Sequence, residues 1–322
     1  MQSRIVGVDL GGTRMRAALL DGQGHLLKRV EAPTLAHEGP DAVIARLLDL
    51  IASVVPGEGE PPARAIGFSA PGPVDPILGT VVAPPNLPGW CNVPLRRIVQ
   101  ERFHLPTFLG NDANVAALAE VYQGAAQGHK NAIYLTISTG IGGGIVIDGR
   151  LFEGATGIGA EVGHMILVVE GNRASSLEKE AAGPAMARRA VARIQAGEPS
   201  RITEMVGGDL NAVSGKTVGE AALAGDALAL DVVRHTGRLI GYGITSLMHL
   251  FNPTIFVIGG GVSTLGDLLF DPMREAIRQY ALAPAYWEHT PIVLAALGDD
   301  VAIIGAATLA LRRLEEAASG SD

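Results

Sequence analysis

The sequence predicts an α/β protein of two lobes, and three observations support this prediction. The chain has 322 residues, more than one typical domain of about 100 to 200 residues contains. Residues 5–21 consist of an apolar run, a glycine turn and a second apolar run, which is the pattern of a β-hairpin. Residues 132–148 repeat this pattern, and each copy opens a segment with further predicted strands and helices. Such a repeat favours a duplicated α/β lobe with a cleft between the copies.

Composition and charge exclude several classes of protein. Hydrophobic residues make up 48% and charged residues 18% of the chain, so disorder is expected only in the C-terminal tail. The net charge of −8 argues against a nucleic-acid surface, because binding to a phosphate backbone usually requires concentrated Lys and Arg. The only cysteine, Cys91, excludes an intrachain disulfide and any zinc site built from several cysteines.

No segment of the sequence predicts export or insertion into a membrane. Residues 1–4 lead into an apolar strand without the pattern of a signal peptide. Residues 239–266 are uncharged and long enough to suggest a membrane span. Asn252-Pro253 and the glycines 259–261 divide them into a helix, a turn and a strand. We therefore expect a cytoplasmic protein with no membrane segment.

Further elements follow from apolar spacing and from turn residues. Residues 65–69 are predicted to form a strand, and residues 83–90 hold three prolines and are predicted to form an irregular loop. Helices are predicted over residues 42–55, 114–122, 178–195, 225–251 and 300–318, and another strand over residues 254–258.

We expect these elements to form two lobes. The small lobe is predicted to comprise residues 1–112, completed by the C-terminal helix at about residues 300–318. The large lobe is predicted to comprise residues 113–299, and residues 319–322 are predicted to be a flexible tail.

The first of three glycine clusters is Asp9-Leu10-Gly11-Gly12-Thr13, at the tip of the first predicted hairpin. Gly11 and Gly12 would let backbone N–H groups approach phosphate oxygens closely, and Thr13 adds a hydroxyl donor. Asp9 places a carboxylate where Mg²⁺ could bridge to the phosphates. The alternative is a tight hairpin turn, for which Gly-Gly is also common.

The second cluster, residues 138–144, contains Thr139, Gly140, Gly142 and Gly143 and offers the same donors in the second repeat. The third, Gly259, Gly260 and Gly261, follows a predicted strand, where it could turn beneath a ligand or form an ordinary strand-to-helix turn. The first two clusters are neither a Walker loop nor a dinucleotide fingerprint, because they lack Gly-Lys-Ser/Thr and lie within hairpins. Together the three clusters favour nucleotide binding.

Asn111 and Asp112 stand at a predicted strand-to-helix junction, and two interpretations of them are open. Asp and Asn are favoured helix caps. In phosphoryl transfer to an alcohol, a carboxylate accepts the hydroxyl proton while Mg²⁺ and backbone donors stabilise the transferring group. Asp112 suits either role, and the motif by itself does not decide between them.

Glu161, His164 and Glu178 form a second polar group. Two carboxylates and an imidazole could hydrogen-bond adjacent sugar hydroxyls, which both donate and accept. The alternative is a surface glutamate and a buried, satisfied histidine.

These motifs resemble the ROK family of bacterial sugar kinases, repressors and related open reading frames, most closely its glucokinase branch. The family belongs to the superfamily of sugar kinases, heat-shock cognate proteins and actin. The resemblance extends from residue 5 to about residue 310. It rests on VGVDLGGTRMRAALLD, FSAPGPVDPILGTVVAPPNLPGW, GNDANVAALAE, TISTGIGGGIVIDGRLFEGATGIGAEVGHM and IFVIGGGVS, in that order.

The resemblance implies an actin-like ATPase fold of the ribonuclease H type, with a duplicated α/β core and a cleft between lobes. It implies transfer of the γ-phosphoryl group of ATP to the 6-hydroxyl of an aldohexose, with glucose as the expected substrate. Another hexose or an N-acetylhexosamine is an alternative substrate, and a non-catalytic sugar-binding protein is an alternative function. A sugar-sensing repressor is disfavoured, because only eight residues precede Asp9, too few for a helix-turn-helix domain.

The resemblance also assigns roles to residues and partners. It implies that residues 9–13 and 139–144 bind the phosphates of ATP with Mg²⁺, that residues 259–261 approach adenosine, and that Asp112 is the general base. A homodimer or homotetramer is expected. The implied sugar contacts are Asn86, Asn111, Asp112, Glu161, His164 and Glu178.

The chain departs from the family pattern at two places. A lysine commonly follows the GGT motif, where this chain has Arg14. After the histidine, the family usually carries a zinc-binding C-x-C-G-x-x-G-C stretch. Residues 165–176 contain no cysteine, so a structural zinc is not expected. We expect packing of the apolar residues 165–169 to hold this segment instead.

Overall fold

The computed structural model describes residues 4–171 and 173–319, and it is a mixed α/β structure. The strands are β1 (Arg4–Leu10), β2 (Arg14–Asp21), β3 (Leu26–Pro33), β4 (Ala63–Ala70), β5 (Val74–Asp75), β6 (Thr80–Val81), β7 (Thr107–Asn111), β8 (Ala132–Ile137), β9 (Ile141–Ile147), β10 (Arg150–Leu151), β11 (Ile166–Glu170), β12 (Arg173–Ser176), β13 (Ile255–Gly259) and β14 (Ile292–Leu294). The helices are α1 (Pro40–Ala52), α2 (Leu95–Phe103), α3 (Asp112–Gln123), α4 (Leu177–Ala181), α5 (Gly183–Gln195), α6 (Ile202–Met205), α7 (Gly215–Leu223), α8 (Ala227–Phe251), α9 (Asp267–Tyr280) and α10 (Val301–Ser319).

The predicted helix over residues 178–195 is wrong in one respect, because two helices occupy this stretch. Ala182, between α4 and α5, has an extended backbone with φ −73° and ψ 166°. Pro184 stands in the first turn of α5. Proline has no N–H to continue a preceding helical turn but is tolerated in the first turn of a helix, so a new helix starts here.

The C-terminal tail was predicted to begin at residue 319. Ser319 instead belongs to the last turn of α10. Residues 320–322 lie outside the described residues.

The first sheet has the strand order β3-β2-β1-β4-β7. β1 and β2 pair antiparallel, which confirms the hairpin predicted over residues 5–21. β1 and β4 pair in parallel, as do β4 and β7. The register places Asp9 opposite Arg16 of β2, while Asn111 ends β7 at the edge of the sheet.

The second sheet has the order β10-β9-β8-β13-β14, and β13 pairs in parallel with both β8 and β14. The register pairs Gly259 with Thr136. The second and third glycine clusters therefore follow the carboxyl ends of two neighbouring parallel strands, the usual position of ligands in α/β sheets.

Contacts along the chain divide it into two compact units. The first unit contains Met1–Lys130, Gly144–Ala160 and Ala296–Asp322, and the second contains Asn131–Gly143 and Glu161–Ala295. These limits differ from the predicted lobe boundaries at residues 112 and 299, which stay a prediction.

In the first unit, α10 packs against the sheet and against α3 at glycine positions. A Cβ atom on Gly67 of β4 would clash with the carbonyl oxygen of Ala306. A Cβ atom on Gly305 of α10 would clash with the carbonyl oxygen of Val115 of α3. Only glycine permits backbones to approach this closely, so these positions fix α3, whose first residue is Asp112.

In the second unit, α8 packs closely against α9. A Cβ atom on Gly241 of α8 would lie 2.6 Å from the carbonyl oxygen of Met273. The carboxylate of Asp226 accepts a hydrogen bond from Ala229 N at 2.8 Å and caps the start of α8. Within residues 4–171 and 173–319, none of the helices combines the length and apolarity that a membrane crossing requires.

Candidate active site

Asn111 and Asp112 share one backbone donor at the start of α3. The Ala113 N–H lies 3.0 Å from Asn111 Oδ1 and 2.7 Å from Asp112 Oδ1. Asn111 has the extended backbone of an N-cap, whereas Asp112 is already the first helical residue and is exposed. The capping role therefore belongs to Asn111, and the interpretation of Asp112 as the N-cap is wrong.

The amide of Asn111 lies against Gly72. A Cβ atom on Gly72 would lie 2.8 Å from Asn111 Nδ2. The absence of a side chain at Gly72 therefore leaves the space that this amide occupies. The oxygen of the Asn111 amide is held by the Ala113 N–H, and its nitrogen lies in the space that Gly72 leaves.

The first glycine cluster forms a closed turn. The Gly11 N–H donates to the Arg14 carbonyl oxygen at 3.0 Å. The buried Thr34 donates to the turn twice, from its N–H to Thr13 O at 2.8 Å and from its hydroxyl to Gly11 O at 2.6 Å. The tight turn considered as the alternative is thus present. A preformed turn with Gly12 at its tip is compatible with phosphate binding, which stays a prediction.

Asn86 packs directly on this turn. A Cβ atom on Gly12 would lie 2.8 Å from both the Cβ and the carbonyl oxygen of Asn86. The side chain of Asn86 is exposed. A predicted sugar contact and a predicted phosphate contact are therefore adjacent in the first unit.

Asp9 forms an ion pair with Arg16 that was not predicted from the sequence. Its Oδ2 accepts hydrogen bonds from Arg16 Nε at 3.0 Å and from Arg16 Nη2 at 2.6 Å. Burial raises the pKa of Asp9 above its usual value, although the charge and hydrogen bonds of Arg16 act in the opposite direction. The carboxylate is therefore held in place by one guanidinium group.

Asp299 connects Arg16 to two further arginines. Its side-chain oxygens lie 2.8 Å from Arg14 Nη2, 3.1 Å from Arg16 Nη1 and 3.2 Å from Arg29 Nη2. Burial acts to raise the pKa of Asp299, but the charges of Arg16 and Arg14 and the hydrogen bonds from Arg14 and Arg29 outweigh it and lower the pKa. Arg14, which stands where the family has lysine, thus has an acidic partner in the first unit.

The spacing of the arginines could have indicated this cluster. Arg14 and Arg16 are two residues apart on β2, and alternate residues of a strand point to the same face. Asp9 is opposite Arg16 in the antiparallel register. Asp299 could not be placed in the same way, because it lies 283 residues after Arg16 in the chain.

The residues around Asp9 fit a magnesium ion that arrives with a nucleotide. Among residues 4–171 and 173–319, no three His, Cys, Asp or Glu side chains form a group that could hold a metal ion by themselves. Mg²⁺ in phosphotransferases is usually held by one or two carboxylates together with substrate phosphates and waters. A single carboxylate beside the first glycine turn matches that donor set.

The second glycine cluster is tied to Glu178. The Ile141 N–H donates to Glu178 Oε2 at 2.9 Å. A Cβ atom on Gly140 would lie 2.6 Å from the same oxygen, so only glycine leaves room for the carboxylate. Ser138 N donates to Gly140 O at 2.8 Å, and Gly183 N donates to Ser138 O at 2.8 Å. Thr139 and Gly140 thus lie in a loop that is fixed on both sides.

The remaining glycines of this cluster lie in β9. A Cβ atom on Gly143 would clash with Val162, and one on Gly144 would lie 2.6 Å from Ala113 O. Gly142 is the second residue of the strand. Close packing of β9 therefore requires glycine at positions 143 and 144, and phosphate binding at Gly142 and Gly143 stays a prediction.

Glu161 and His164 lie together in the second unit. Their side chains are 62% and 69% exposed, and Glu161 Oε2 is 3.6 Å from His164 Nδ1. The alternative of a buried histidine is therefore wrong. Both groups are available to a ligand.

The segment after His164 forms a hairpin of β11 and β12. Ile166 and Val169 are 62% and 68% exposed, so the expectation that packing of residues 165–169 holds the segment is wrong for these two. The fully buried Leu177 holds it instead, because Leu177 N donates to Met165 O at 2.9 Å.

A cavity of about 870 Å³ lies in the second unit beside the second and third glycine clusters. Gly260 has φ +84°, and a Cβ atom there would clash with the backbone of Ile137. Gly261, in contrast, has open space around its Cα and lines the cavity. The other lining residues are Ser138, Thr139, Gly183, Pro184, Ala187, Arg188, Val191, Leu210, Val213, Ser214, Gly215, Lys216, Gly219, Glu220, Leu223, Val262, Thr264 and Leu265.

Most of this lining, including the residues on α5 and α7, was not predicted from the sequence. One signal was available at Gly183 and Gly215, which begin these helices. A Cβ atom on Gly215 would lie 2.7 Å from Gly183 Cα. Glycine at the start of both helices indicates close backbone approach, but the sequence does not say which backbones meet.

The two sheets and their glycine turns define an α/β fold of the actin-like ATPase class, as predicted. The chain belongs to the ROK family, whose model matches residues 5–313. Glucokinase from Thermotoga maritima is 35% identical over 316 residues, which cover 97% of this chain and 98% of that protein.

Solved structures of ROK proteins agree with this assignment. The ROK family glucokinase from Streptomyces griseus, in complex with glucose and AMPPNP, has a TM-score of 0.78 at 34% identity, covering 97% of this chain and 100% of that one. The ROK hexokinase from Thermus thermophilus has a TM-score of 0.80 at 35% identity, covering 97% and 99%.

Proposed function

We propose that this protein is an ATP-dependent sugar kinase that transfers the γ-phosphoryl group of ATP to the 6-hydroxyl of glucose. The observation that carries the proposal is the exposed carboxylate of Asp112 at the first residue of α3. Its capping duty is taken by Asn111. The chain is also 35% identical to a protein named glucokinase over nearly its whole length.

Asp112 is the general base in this proposal. It accepts the proton of the attacking hydroxyl as the oxygen bonds to phosphorus, and ADP leaves. A carboxylate at the exposed start of a helix can reach a ligand without rearrangement of the backbone. The hydrogen bond from Ala113 N to Oδ1 orients the carboxylate in the first turn.

The sugar is proposed to contact Asn86, Asn111, Glu161, His164 and Glu178 in addition to Asp112. These side chains present amide, carboxylate and imidazole groups, which match hydroxyls that donate and accept at once. Asn86 and Asn111 each pack on a glycine, Gly12 and Gly72. Because these two side chains are already confined by close packing, they lose little conformational entropy when a ligand binds.

The nucleotide is proposed to bind through the three glycine clusters. The cavity beside Thr139 and Gly261 has the volume and the mainly apolar lining of a nucleoside site. Backbone donors of residues 11–13 and 139–143 would bind phosphate oxygens, apart from the N–H groups of Gly11 and Ile141, which donate to Arg14 O and Glu178 Oε2. Magnesium bound with the nucleotide would neutralise charge on the phosphates, and the carboxylate of Asp9 is its proposed protein ligand.

Two further expectations belong to the proposal. The protein is proposed to work in the cytoplasm, and to do so as a homodimer or homotetramer. Size-exclusion chromatography with light scattering tests the second of these. A mass of one chain, 33.3 kDa, would contradict it.

A substrate panel tests the proposed function. ADP release is measured with glucose, mannose, allose, fructose and N-acetylmannosamine, first with ATP and then with polyphosphate as the donor. We expect the highest kcat/KM with glucose and ATP, and glucose 6-phosphate as the product identified by NMR. Glucose binding by calorimetry without any sugar-dependent ADP release would instead identify a non-catalytic sugar-binding protein.

A further inference from the structure

Glu178 is a proposed sugar contact that also touches the proposed phosphate-binding loop. It is one of the proposed sugar contacts, yet its Oε2 accepts a hydrogen bond from the N–H of Ile141 at 2.9 Å. Ile141 directly follows Thr139 and Gly140, the proposed phosphate-binding residues. The same carboxylate therefore touches the loop that is proposed to hold ATP.

The loop is shaped to receive this carboxylate. A methyl group at Gly140 would lie 2.6 Å from Glu178 Oε2, so any other residue would displace the carboxylate or the loop. Ser138 N bonds to Gly140 O at 2.8 Å and closes the turn on its own side. The Ile141 bond supplies the second fixed point.

The backbone that carries Glu178 is also fixed. Leu177 is fully buried, and its N–H donates to Met165 O at 2.9 Å. A Cβ atom on Gly243 of α8 would lie 2.8 Å from Leu177 Cδ2, so this helix packs tightly on Leu177. The backbone of Glu178 is therefore fixed relative to the loop, and its carboxylate moves only by rotation of the side chain.

We propose that Glu178 is a positioning residue that couples the sugar to the nucleotide, because one carboxylate binds both the phosphate loop and the sugar. The inference rests on the proposed function. A carboxylate has two oxygens and about four lone-pair sites. Oε2 holds the Ile141 N–H, and Oε1 accepts a sugar hydroxyl. A bound sugar thus orders the carboxylate that orders the loop, and bound phosphates do the reverse.

This arrangement requires reciprocal coupling of affinities. Each ligand raises the affinity for the other by the same factor, typically 5- to 150-fold for coupled sites. Glu178→Ala removes both contacts and reduces the factor to about one. Glu178→Gln has an amide oxygen for the Ile141 N–H and an N–H₂ group for a sugar hydroxyl, so it retains a factor well above one while binding glucose more weakly.

The experiment measures the Kd of AMPPNP by calorimetry, without glucose and with saturating glucose, for the wild type and each variant. Glu178→Ala and Glu178→Gln both remove the negative charge at position 178. A difference between these two variants therefore cannot be caused by the loss of charge. We expect AMPPNP alone to bind several-fold more weakly to the Ala variant than to the Gln variant. Glu161→Gln is the control, since it weakens glucose binding but has no role in the loop, and it keeps the wild-type factor.

Each outcome decides the proposal. Loss of coupling in Glu178→Ala, with coupling retained in Glu178→Gln and Glu161→Gln, supports it. Three results would overturn it. The coupling factor of Glu178→Ala could equal that of the wild type, or the Ala and Gln variants could lose coupling equally. A wild-type protein that phosphorylates glucose could also show a coupling factor of one. Failure of the proposed function is distinct, because the wild type would then show no sugar-dependent ADP release. Glu178→Gln keeps the test valid if the Ala variant does not fold.

Discussion

Asn111 and Asp112 share the N–H of Ala113, at 3.0 Å and 2.7 Å respectively. These two neighbouring polar residues nevertheless have different structural roles. Asn111 keeps the extended backbone of the strand and caps the helix, whereas Asp112 begins the helix with an exposed carboxylate. The proposed base thus stands on the first turn of a rigid helix, where its backbone position is fixed by the cap.

Removing the cap should lower stability without depending on sugar chemistry. We expect Asn111→Ala to reduce the free energy of unfolding by about 1 kcal/mol, because the first turn of α3 loses a side-chain acceptor. Asn111→Ser keeps a cap oxygen and should retain most of this stability. Both variants lack the amide, so both should raise the KM for glucose. Equal stability of the two variants in urea unfolding would contradict the capping assignment.

The ion pair of Asp9 with Arg16 predicts a pH dependence. Burial raises the pKa of Asp9, and the positive charge of Arg16 counteracts this effect. If only the ionised carboxylate supports binding of magnesium and ATP, the KM for ATP rises as the pH falls through the Asp9 pKa. Arg16→Gln removes the lowering charge, so this rise should begin about one to three pH units higher.

Arg29→Gln is the matched control for this prediction, since Arg29 contacts Asp299 instead of Asp9. Its profile of KM against pH should follow the wild type. This role of Arg16 is contradicted if Arg16→Gln leaves the rise in the KM for ATP at the wild-type pH, or if Arg29→Gln shifts the rise by as many pH units as Arg16→Gln does.

Glu120 predicts a large loss of stability. It is fully buried in α3 and accepts hydrogen bonds from the N–H groups of Ala125 at 2.7 Å, Ala296 at 3.0 Å and Leu297 at 3.1 Å. Glu120→Ala leaves these donors unpaired, at about 1 to 3 kcal/mol for each buried group. We expect a loss of about 3 kcal/mol or more in the free energy of unfolding, measured by urea denaturation.

Glu120→Gln retains one carbonyl oxygen of similar reach and should lose less stability than Glu120→Ala. A loss below about 1 kcal/mol in the Ala variant would mean that these three backbone groups find other partners.

Two adjacent glycines should respond differently to the same substitution. Gly260 has φ +84°, and a methyl group there would clash with the backbone of Ile137. Gly260→Ala should therefore lower the melting temperature strongly or prevent folding. Gly261 has no heavy atom within 4 Å of an added Cβ and lines the cavity. Gly261→Ala should melt like the wild type and raise the KM for ATP, whereas equal melting temperatures for the two variants would refute the distinction.

The sequence predicted the features that depend on local pattern. The hairpin of residues 5–21, the strand over residues 254–258 and the helix over residues 225–251 appear as β1 with β2, as β13 and as α8, with shifts of one or two residues at their ends. Apolar spacing and turn glycines are local properties, so they can be recognised in one sequence. The family could be recognised as well, because its motifs keep their order.

The features that were missed depend on contacts between distant parts of the chain. Asp299 meets Arg16 across 283 residues, and Ile141 meets Glu178 across 37. Neither pairing leaves a pattern in the segments around it. The glycines of residues 138–144 were assigned to phosphate binding, whereas Gly143 and Gly144 are also required by packing against Val162 and Ala113. Close packing and ligand approach impose the same residue, so composition cannot separate them.

The general base is tested by the kcat of Asp112→Asn with saturating glucose and ATP, together with the Kd of this variant for glucose from calorimetry. The amide is similar in size to the carboxylate but cannot accept the hydroxyl proton. We expect kcat to fall by about 10²- to 10⁴-fold, with a change of no more than a few-fold in the Kd for glucose. A kcat within about tenfold of the wild type would show that Asp112 is not the general base.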